Sequence, residues 1–120
     1  RQKSQYIHEQ FEIARISKAL SCPARVAILD VLIKRGPSCC TDLVEILPIA
    51  QATVSQHIKE LAKANVVVRS APHSNLWAIN KQAFIYYQNM LLKLVAKNEM
   101  QRTEMIPVFQ NSNGQFLSAS

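Results

Sequence analysis

Glycine is scarce in this sequence, with two residues among 120. A domain made only of β-strands needs many tight turns, and glycine supplies the positive φ angles of such turns. The composition therefore argues against an all-β fold. No apolar run approaches the roughly 18 residues that a membrane-spanning helix requires, and no short apolar segment follows a basic start as in a signal peptide. We therefore expect no membrane partner.

The cysteine count is odd, with Cys22, Cys39 and Cys40. Secreted disulfide frameworks use cysteines in pairs, so a reducing cytoplasm is the expected location. Apolar residues make up 48% of the chain, which is enough for the core of one globular domain. The net charge of +6 fits a polyanionic partner, with nucleic acid as the leading candidate, but it also fits an ordinary solubility charge.

Apolar residues recur at helical spacing through the first half of the chain. The spacing predicts helices over residues 6–20 and 23–35, a third short helix that Pro48 ends, and a fourth over 51–64. Pro23 suits the first turn of the second helix and Gly36 its end. Ser38 or Cys39 can cap the third helix. Two helices joined by so short a turn within residues 39–64 predict a helix-turn-helix.

The pattern changes to that of a β-hairpin after residue 65. The runs VVVRS and LWAIN flank APHSN, whose residues favour a turn, so residues 66–80 form the predicted wing. A helical pattern returns from Lys81 to about residue 102. The predicted order is α-α-α-α-β-β-α, a mainly α winged helix-turn-helix in a single domain over residues 1–105. Residues 106–120 have no net charge and no period, and we expect a flexible tail.

The fourth helix begins with QATVSQHIKEL, in which Val54, Ile58 and Leu61 share one face that must pack inward. The opposite face has slim hydrogen-bonding groups first and lysines later. Such groups suit base edges and phosphates respectively, although a plain solvated face is the other interpretation. The candidate DNA contacts are Gln51, Ala52, Thr53, Ser55, Gln56, His57, Lys59 and Lys63 on this helix, and Arg69, His73 and Asn75 on the hairpin.

Three segments, ALSCPARVAILDVL, DLVEIL and QATVSQHIKELAKANVV, resemble the ArsR-type (arsenical-repressor-like) winged-helix family of bacterial transcription regulators. The family shows an "ALADPTRLRIL"-like second helix and an "LSQSTVSRHLKVLREAGLV"-like recognition helix, and the resemblance covers about residues 16–80. It implies a homodimer that binds a palindromic double-stranded DNA operator and represses transcription. It also implies that the first and last helices form the dimer interface.

The sequence departs from the family pattern at several positions of the DNA-reading segment. Ala50 stands where a capping serine is frequent, Pro48 where a glycine is usual, and Gln56 where an arginine is frequent. Residues 39–80 contain three basic and three acidic side chains, while the excess positive charge lies in the flanking helices. We therefore predict a shallow salt dependence of DNA binding, with a log–log slope no steeper than about −8.

The family's metal-sensing cysteine pair is half missing, because its first position aligns with Cys39 and its second with Thr41. A second family site needs acidic and histidine residues on the last helix, where residues 81–102 contain only Glu99. We expect no metal and no cofactor. A thiol switch at Cys22, Cys39 and Cys40 is the better-motivated sensor, since Cys39 near a helix N-terminus occupies a position that favours thiol reactivity. The alternative is three cysteines that act as small hydrophobic residues.

An enzyme is not expected, because the sequence has neither a glycine-rich phosphate loop nor clustered carboxylates. The main alternative is a winged-helix module that binds a protein partner through its wing and flanking helices. The low net charge of residues 39–80 is compatible with that alternative. The slim polar set at Gln51, Thr53, Ser55 and Gln56 argues against it, since a protein-binding module has no need of it.

Overall fold

The computed structural model describes residues 6–99, 108–110 and 116–118 of the chain. Its elements are α1 (His8–Ala19), α2 (Pro23–Arg35), α3 (Cys40–Ile46), α4 (Gln51–Lys63), β1 (Val67–Arg69), β2 (Trp77–Ile79), α5 (Lys81–Glu99), β3 (Val108–Gln110) and β4 (Phe116–Ser118). The predicted order of four helices, a hairpin and a helix is confirmed, and so is the mainly α fold class.

The helix ends follow from local chemistry. Pro23 opens α2, and Gly36 closes it with a positive φ of 87° that suits glycine. Cys39 is the N-cap of α3, and its backbone N–H donates to the Asp42 carboxylate at 3.1 Å. Ala50 is the N-cap of α4 and forms no side-chain cap hydrogen bond. Of α3 and α4, the helix with the predicted DNA contacts, α4, is therefore the less well capped at its N-terminus.

The chain divides into two compact units, Arg1–Gln88 and Asn89–Ser120. The core of the first unit contains apolar side chains from α1 to α4 and β1. Its fully buried members are Ile16, Ile28, Leu43, Val54, Leu61, Val66 and Val67. The predicted inner face of α4 is confirmed, because Val54, Ile58 and Leu61 are each at most 3% exposed. Each such side chain contributes about 1.5–3 kcal/mol by leaving water, and their burial orients the opposite face outward.

The wing is an antiparallel pair in which Val67 lies opposite Ile79 and Arg69 opposite Trp77. Ser38, in the loop between α2 and α3, exchanges two backbone hydrogen bonds with Trp77, at 3.0 and 2.8 Å. At the tip, Ser74 N–H donates to the Ala71 carbonyl, and His73 adopts a positive φ of 65°. The wing is thus attached to the helices through its second strand and has its strained residue at the tip.

The second unit contains two short strands that the sequence did not predict. Within the segment expected to be a tail, β3 pairs antiparallel with β4, and Val108 lies opposite Ser118. Valine, phenylalanine and leucine in these strands favour extended structure. Flexibility of residues 106–120 and a single domain over 1–105 remain predictions. Residues 100–102, the predicted end of the last helix, lie outside the described residues.

None of the helices in the described part of the chain combines the length and the apolar character that a membrane crossing requires.

Candidate nucleic-acid interface

The predicted contact residues of α4 lie on its outward face. Gln51, Ala52, Thr53, Ser55, Gln56, Lys59 and Lys63 are exposed, and His57 is half-buried at the margin of this face. The placement follows from the helical period. Val54 and Ile58 lie one turn apart on the buried side, so the residues between them point outward. Contact of these side chains with DNA remains a prediction.

The first turn of α4 is open to a ligand. Its first backbone hydrogen bond runs from Val54 N–H to the Ala50 carbonyl at 2.9 Å, so the preceding N–H groups have no partner within the helix. No described residue forms a hydrogen bond with the side chains of Gln51, Thr53 or Ser55. The positive end of the helix dipole and these donors together favour an electronegative partner.

His57 is positioned by a residue of α2. Nε of Arg25 donates to Nδ1 of His57 at 3.1 Å, and Nη1 of the same guanidinium donates to the carbonyls of Lys18 and Ala19, at 3.3 Å each. Because Nδ1 accepts this hydrogen bond, the neutral imidazole carries its proton on Nε2. Arg25 therefore joins α2, the C-terminal end of α1 and the recognition helix.

Glu60 connects two of the predicted contacts in the second half of α4. Its carboxylate accepts from Nε2 of Gln56 at 3.2 Å and from Nζ of Lys63 at 3.3 Å. The hydrogen bond and charge of Lys63 lower the pKa of Glu60 below its ordinary value, and the charges of Arg25 and Lys18 act in the same direction. Glu60 is therefore ionised at neutral pH.

The predicted wing contacts are also exposed, but Arg69 is engaged within the hairpin. Its guanidinium stacks over Trp77 at 4.6 Å from the ring centroid, and Nη1 donates to the Ser74 carbonyl at 2.6 Å. Cation–π stacking and the hydrogen bond hold the two strands together near the tip. His73 and Asn75 lie beyond this contact at the tip, where they are exposed.

The three cysteines are unpaired and half-buried. Cys22 is the N-cap of α2, while Cys39 and Cys40 stand at the start of α3. The backbone N–H and then the side chain of Cys39 lower the pKa of Asp42. No group of three histidine, cysteine, aspartate or glutamate side chains able to hold a metal occurs in the described part of the chain. Thiol sensing and the lack of a metal site both remain predictions.

The sequence prediction did not place the basic residues of α1 and α2 beside the recognition helix. Arg15 donates from Nη1 to the Lys63 carbonyl at 3.0 Å and thereby caps the C-terminal end of α4. Arg15, Lys18 and Arg25 line one cavity with Glu60 and Lys63. A signal was available at Arg25, because it lies in the ALSCPARVAILDVL segment that carries the family resemblance and interrupts an apolar run. No local signal pointed to Arg15 or Lys18.

Comparison with known proteins gives a family match and relatives. Residues 22–68 match the model of the bacterial regulatory protein, arsR family. The chain is 34% identical over 85 residues to the arsenical resistance operon repressor of Staphylococcus xylosus. The match covers 70% of this chain and 80% of that protein. It is 38% identical over 52 residues to the arsenical resistance operon repressor of Bacillus subtilis, over 43% of this chain and 50% of that protein.

Solved structures show the same fold. An ArsR-like transcriptional regulator from a Rhodococcus species superposes with a TM-score of 0.74 at 18% identity, over 82% of this chain and 92% of that one. A homodimeric winged helix-turn-helix DNA-binding domain from Mycobacterium bovis superposes with a TM-score of 0.57 at 20% identity, over 82% and 92%. With the helix-turn-helix and wing in place and a relative matched over most of its length, the chain belongs to the ArsR family of bacterial regulatory proteins.

Proposed function

We propose that this DNA-binding regulator acts as a homodimeric repressor at a palindromic operator, with residues 51–64 as its recognition helix. The observation that carries the proposal is the outward face of α4, which presents Gln51, Thr53 and Ser55 exposed and without partners among the described residues. A helix enters the major groove with its N-terminal residues against the base edges. Slim hydrogen-bonding side chains at that end are the groups that can read those edges.

The contact residues are proposed in two sets. In the first half of α4, Gln51, Ala52, Thr53, Ser55 and Gln56 face the bases, while later in the helix Lys59 and Lys63 face phosphates. The second set comprises His73 and Asn75 at the tip of the wing, with Arg69 acting mainly to hold the hairpin together. Since a bacterial DNA-binding regulator acts where the DNA is transcribed, we propose a cytoplasmic location.

The proposed dimer interface involves α1 and α5. Both helices expose large apolar side chains: Phe11 on α1 is 52% exposed, and Leu92 on α5 is 55% exposed. Tyr6, Ile7, Ile85, Tyr86, Leu94 and Val95 are exposed in the same way. Large apolar side chains concentrated on two elements are typical of a protein–protein contact. The structurally similar domain from Mycobacterium bovis is homodimeric, which supports dimerisation.

Selection from a pool of random duplexes tests the proposed operator. Reduced protein at about 0.1 M salt is expected to enrich a palindrome whose half-sites lie about one helical turn apart. Fluorescence anisotropy of the enriched duplex and of a scrambled one then measures the specificity ratio. Enrichment of no sequence, with equal affinity for both duplexes, would contradict operator binding and favour a protein partner.

Analytical ultracentrifugation tests the proposed dimer. Leu92→Gln is expected to shift the protein from dimer to monomer, because the exchange places a polar group in the interface. Val26→Gln is the matched control, since Val26 is 50% exposed but lies on α2. Equal masses for the two variants at the same concentration would exclude α5 from the interface.

Thiol sensing is tested by oxidation. The wild-type protein is expected to lose affinity for the enriched duplex after treatment with a mild oxidant and to regain it after reduction. A variant in which serine replaces Cys22, Cys39 and Cys40 should not respond. If oxidation also lowers the DNA affinity of the triple variant, the cysteines are not the sensor. No catalytic role is proposed, because the family is one of regulatory proteins and not a class of enzymes.

A further inference from the structure

A cavity of about 260 Å³ lies between α1, α2 and the second half of α4. Four basic residues and one acidic residue provide its charge, and we refer to it as the basic cavity. Its lining is Arg15, Lys18, Ala19, Arg25, Glu60, Lys63 and Ala64. The cavity is a product of folding, because its lining comes from three helices.

The two acidic neighbours neutralise only part of this charge. Glu12 pairs with Arg15 at 2.6 Å, and Glu60 pairs with Lys63 at 3.3 Å. The guanidinium of Arg25 is directed to neutral acceptors, namely His57 and two backbone carbonyls. Lys18 has neither a hydrogen bond nor an ion pair with its ammonium group in the described part of the chain. In the described part of the chain neither Lys18 nor Arg25 forms an ion pair, although both charges act on Glu60.

The cavity lies on one flank of the recognition helix. Glu60 lies three residues after His57 and Ala64 seven residues after it, so all three share the side of α4 that faces α1 and α2. Gln56 and Lys63, which form the edge of the outward face, both hydrogen-bond to Glu60. A side chain in the cavity is thus adjacent to the surface that is proposed to enter the groove.

A helix in the major groove has a sugar–phosphate backbone on each side, since the groove is only about 12 Å wide. The backbone on the α1–α2 side would pass the mouth of the basic cavity. Long, solvent-exposed lysine side chains without partners are well suited to contact such a phosphate. These observations rest on the proposed DNA binding and extend the contact surface beyond α4 and the wing.

We propose that the basic cavity binds one backbone phosphate of DNA, with the ammonium group of Lys18 donating to a phosphate oxygen and Glu60 opposing the contact through its negative charge. The contact is independent of sequence, because every nucleotide carries the same phosphate. Lys18 therefore adds affinity for any duplex, and Glu60 limits that affinity. This places three helices, and not the helix-turn-helix alone, against the DNA backbone.

The test compares Lys18→Gln with wild-type protein on the enriched and scrambled duplexes across a salt series. The slope of log affinity against log salt is expected to become shallower by about 1 per protomer, or about 2 per dimer. Affinity should fall by the same factor for both duplexes. Lys34→Gln is the matched control, because it removes the same charge from the far end of α2, where Lys34 pairs with Asp30 at 3.1 Å. It should leave the slope unchanged.

Glu60→Gln should change the DNA affinity in the opposite direction. Removal of this carboxylate should raise the affinity for both duplexes, while Lys18→Arg should keep the wild-type slope. Lys18 is exposed, so its variants are expected to fold, and their unfolding midpoints verify this. An unchanged slope in Lys18→Gln, or a slope change as large in Lys34→Gln, would overturn the proposal even if the operator is bound specifically.

The design separates this inference from the proposed function. If the wild-type protein binds duplexes without sequence preference, operator recognition fails while the slope comparison still tests the phosphate contact. If Lys18→Gln leaves the slope unchanged but abolishes a stabilisation of the free protein by inorganic phosphate, the cavity is a site for a free anion. That result would overturn the assignment to DNA.

Discussion

The two ends of the recognition helix are held in different ways. The anchored end, residues 57–63, is connected to α1 and α2 through Arg15 and Arg25, which contact Lys63 and His57 at 3.0 and 3.1 Å. The reading end, residues 51–55, begins at Ala50 without a side-chain cap, and only Val54 is buried. One end is thus positioned by tertiary contacts, and the other presents side chains that have no partner among the described residues.

This difference fits the two tasks that we propose for one helix of 13 residues, base reading and positioning. Base reading requires unoccupied donors and acceptors, since a side chain already hydrogen-bonded must exchange its partner before it can bind a base. Positioning requires contacts that persist when the ligand is absent. Placing the tertiary contacts at one end leaves the other end available without losing the orientation of the helix.

The largest expected effect comes from the buried side of the anchored end. Leu61→Ala should lower the free energy of unfolding by about 2–5 kcal/mol, because Leu61 is fully buried and its truncation leaves a cavity. Urea denaturation measures the change. Lys59→Ala, on the exposed side of the same helix, should change stability by no more than about 0.5 kcal/mol. Similar losses in the two variants would contradict the predicted division between buried and exposed faces.

The reading end is tested by Gln51→Ala. The exchange should lower the discrimination between the enriched and scrambled duplexes by about 1–3 kcal/mol, because an amide that reads a base edge is lost. Anisotropy titrations on both duplexes give the ratio. The control is Gln82→Ala, which removes an exposed glutamine from the first turn of α5. A ratio that falls equally in both variants would mean that Gln51 reads no base.

A side-chain cap should stabilise the reading end and so make it more similar to the anchored end. Ala50→Ser introduces a hydroxyl that can accept from an N–H of the first turn, and it should raise the free energy of unfolding by about 0.5–2 kcal/mol. Ala52→Ser makes the same chemical change inside the helix and should be neutral or slightly destabilising. Thermal unfolding of both variants measures the two effects. A stabilisation that also appears in Ala52→Ser would rule out capping as its cause.

The smallest effect concerns the N-cap of α3, which has a side-chain hydrogen bond of the kind that α4 lacks. Hydrogen bonding to Cys39 lowers the pKa of Asp42 below its ordinary value of 3.8. The ionised carboxylate therefore stabilises the fold above that value, and its contribution is lost as the pH falls through the lower, folded-state pKa. Asp42→Asn should remove this part of the acid sensitivity. Unfolding midpoints measured down to acidic pH would refute the assignment if the two proteins lost stability in parallel.

The sequence alone determined the helices and the orientation of the recognition helix. The spacing of Val54, Ile58 and Leu61 fixes which face of α4 is buried, because a helix repeats every 3.6 residues whatever its surroundings. Pro23 and Gly36 similarly mark the ends of α2 through their own backbone preferences. These features depend on residues close together in the chain, so they can be predicted from local patterns.

Only the tertiary structure decided which charges surround that helix. Counted along the chain, residues 39–80 have no net charge, but Arg15 and Arg25 reach α4 from 48 and 32 residues away in the sequence. No periodicity encodes such neighbours, because they follow from how helices pack against one another. The same holds for Arg69, a predicted DNA contact, whose guanidinium stacks on Trp77 across the hairpin. Local patterns therefore determined the face that is presented, and packing determined the electrostatic surroundings of that face.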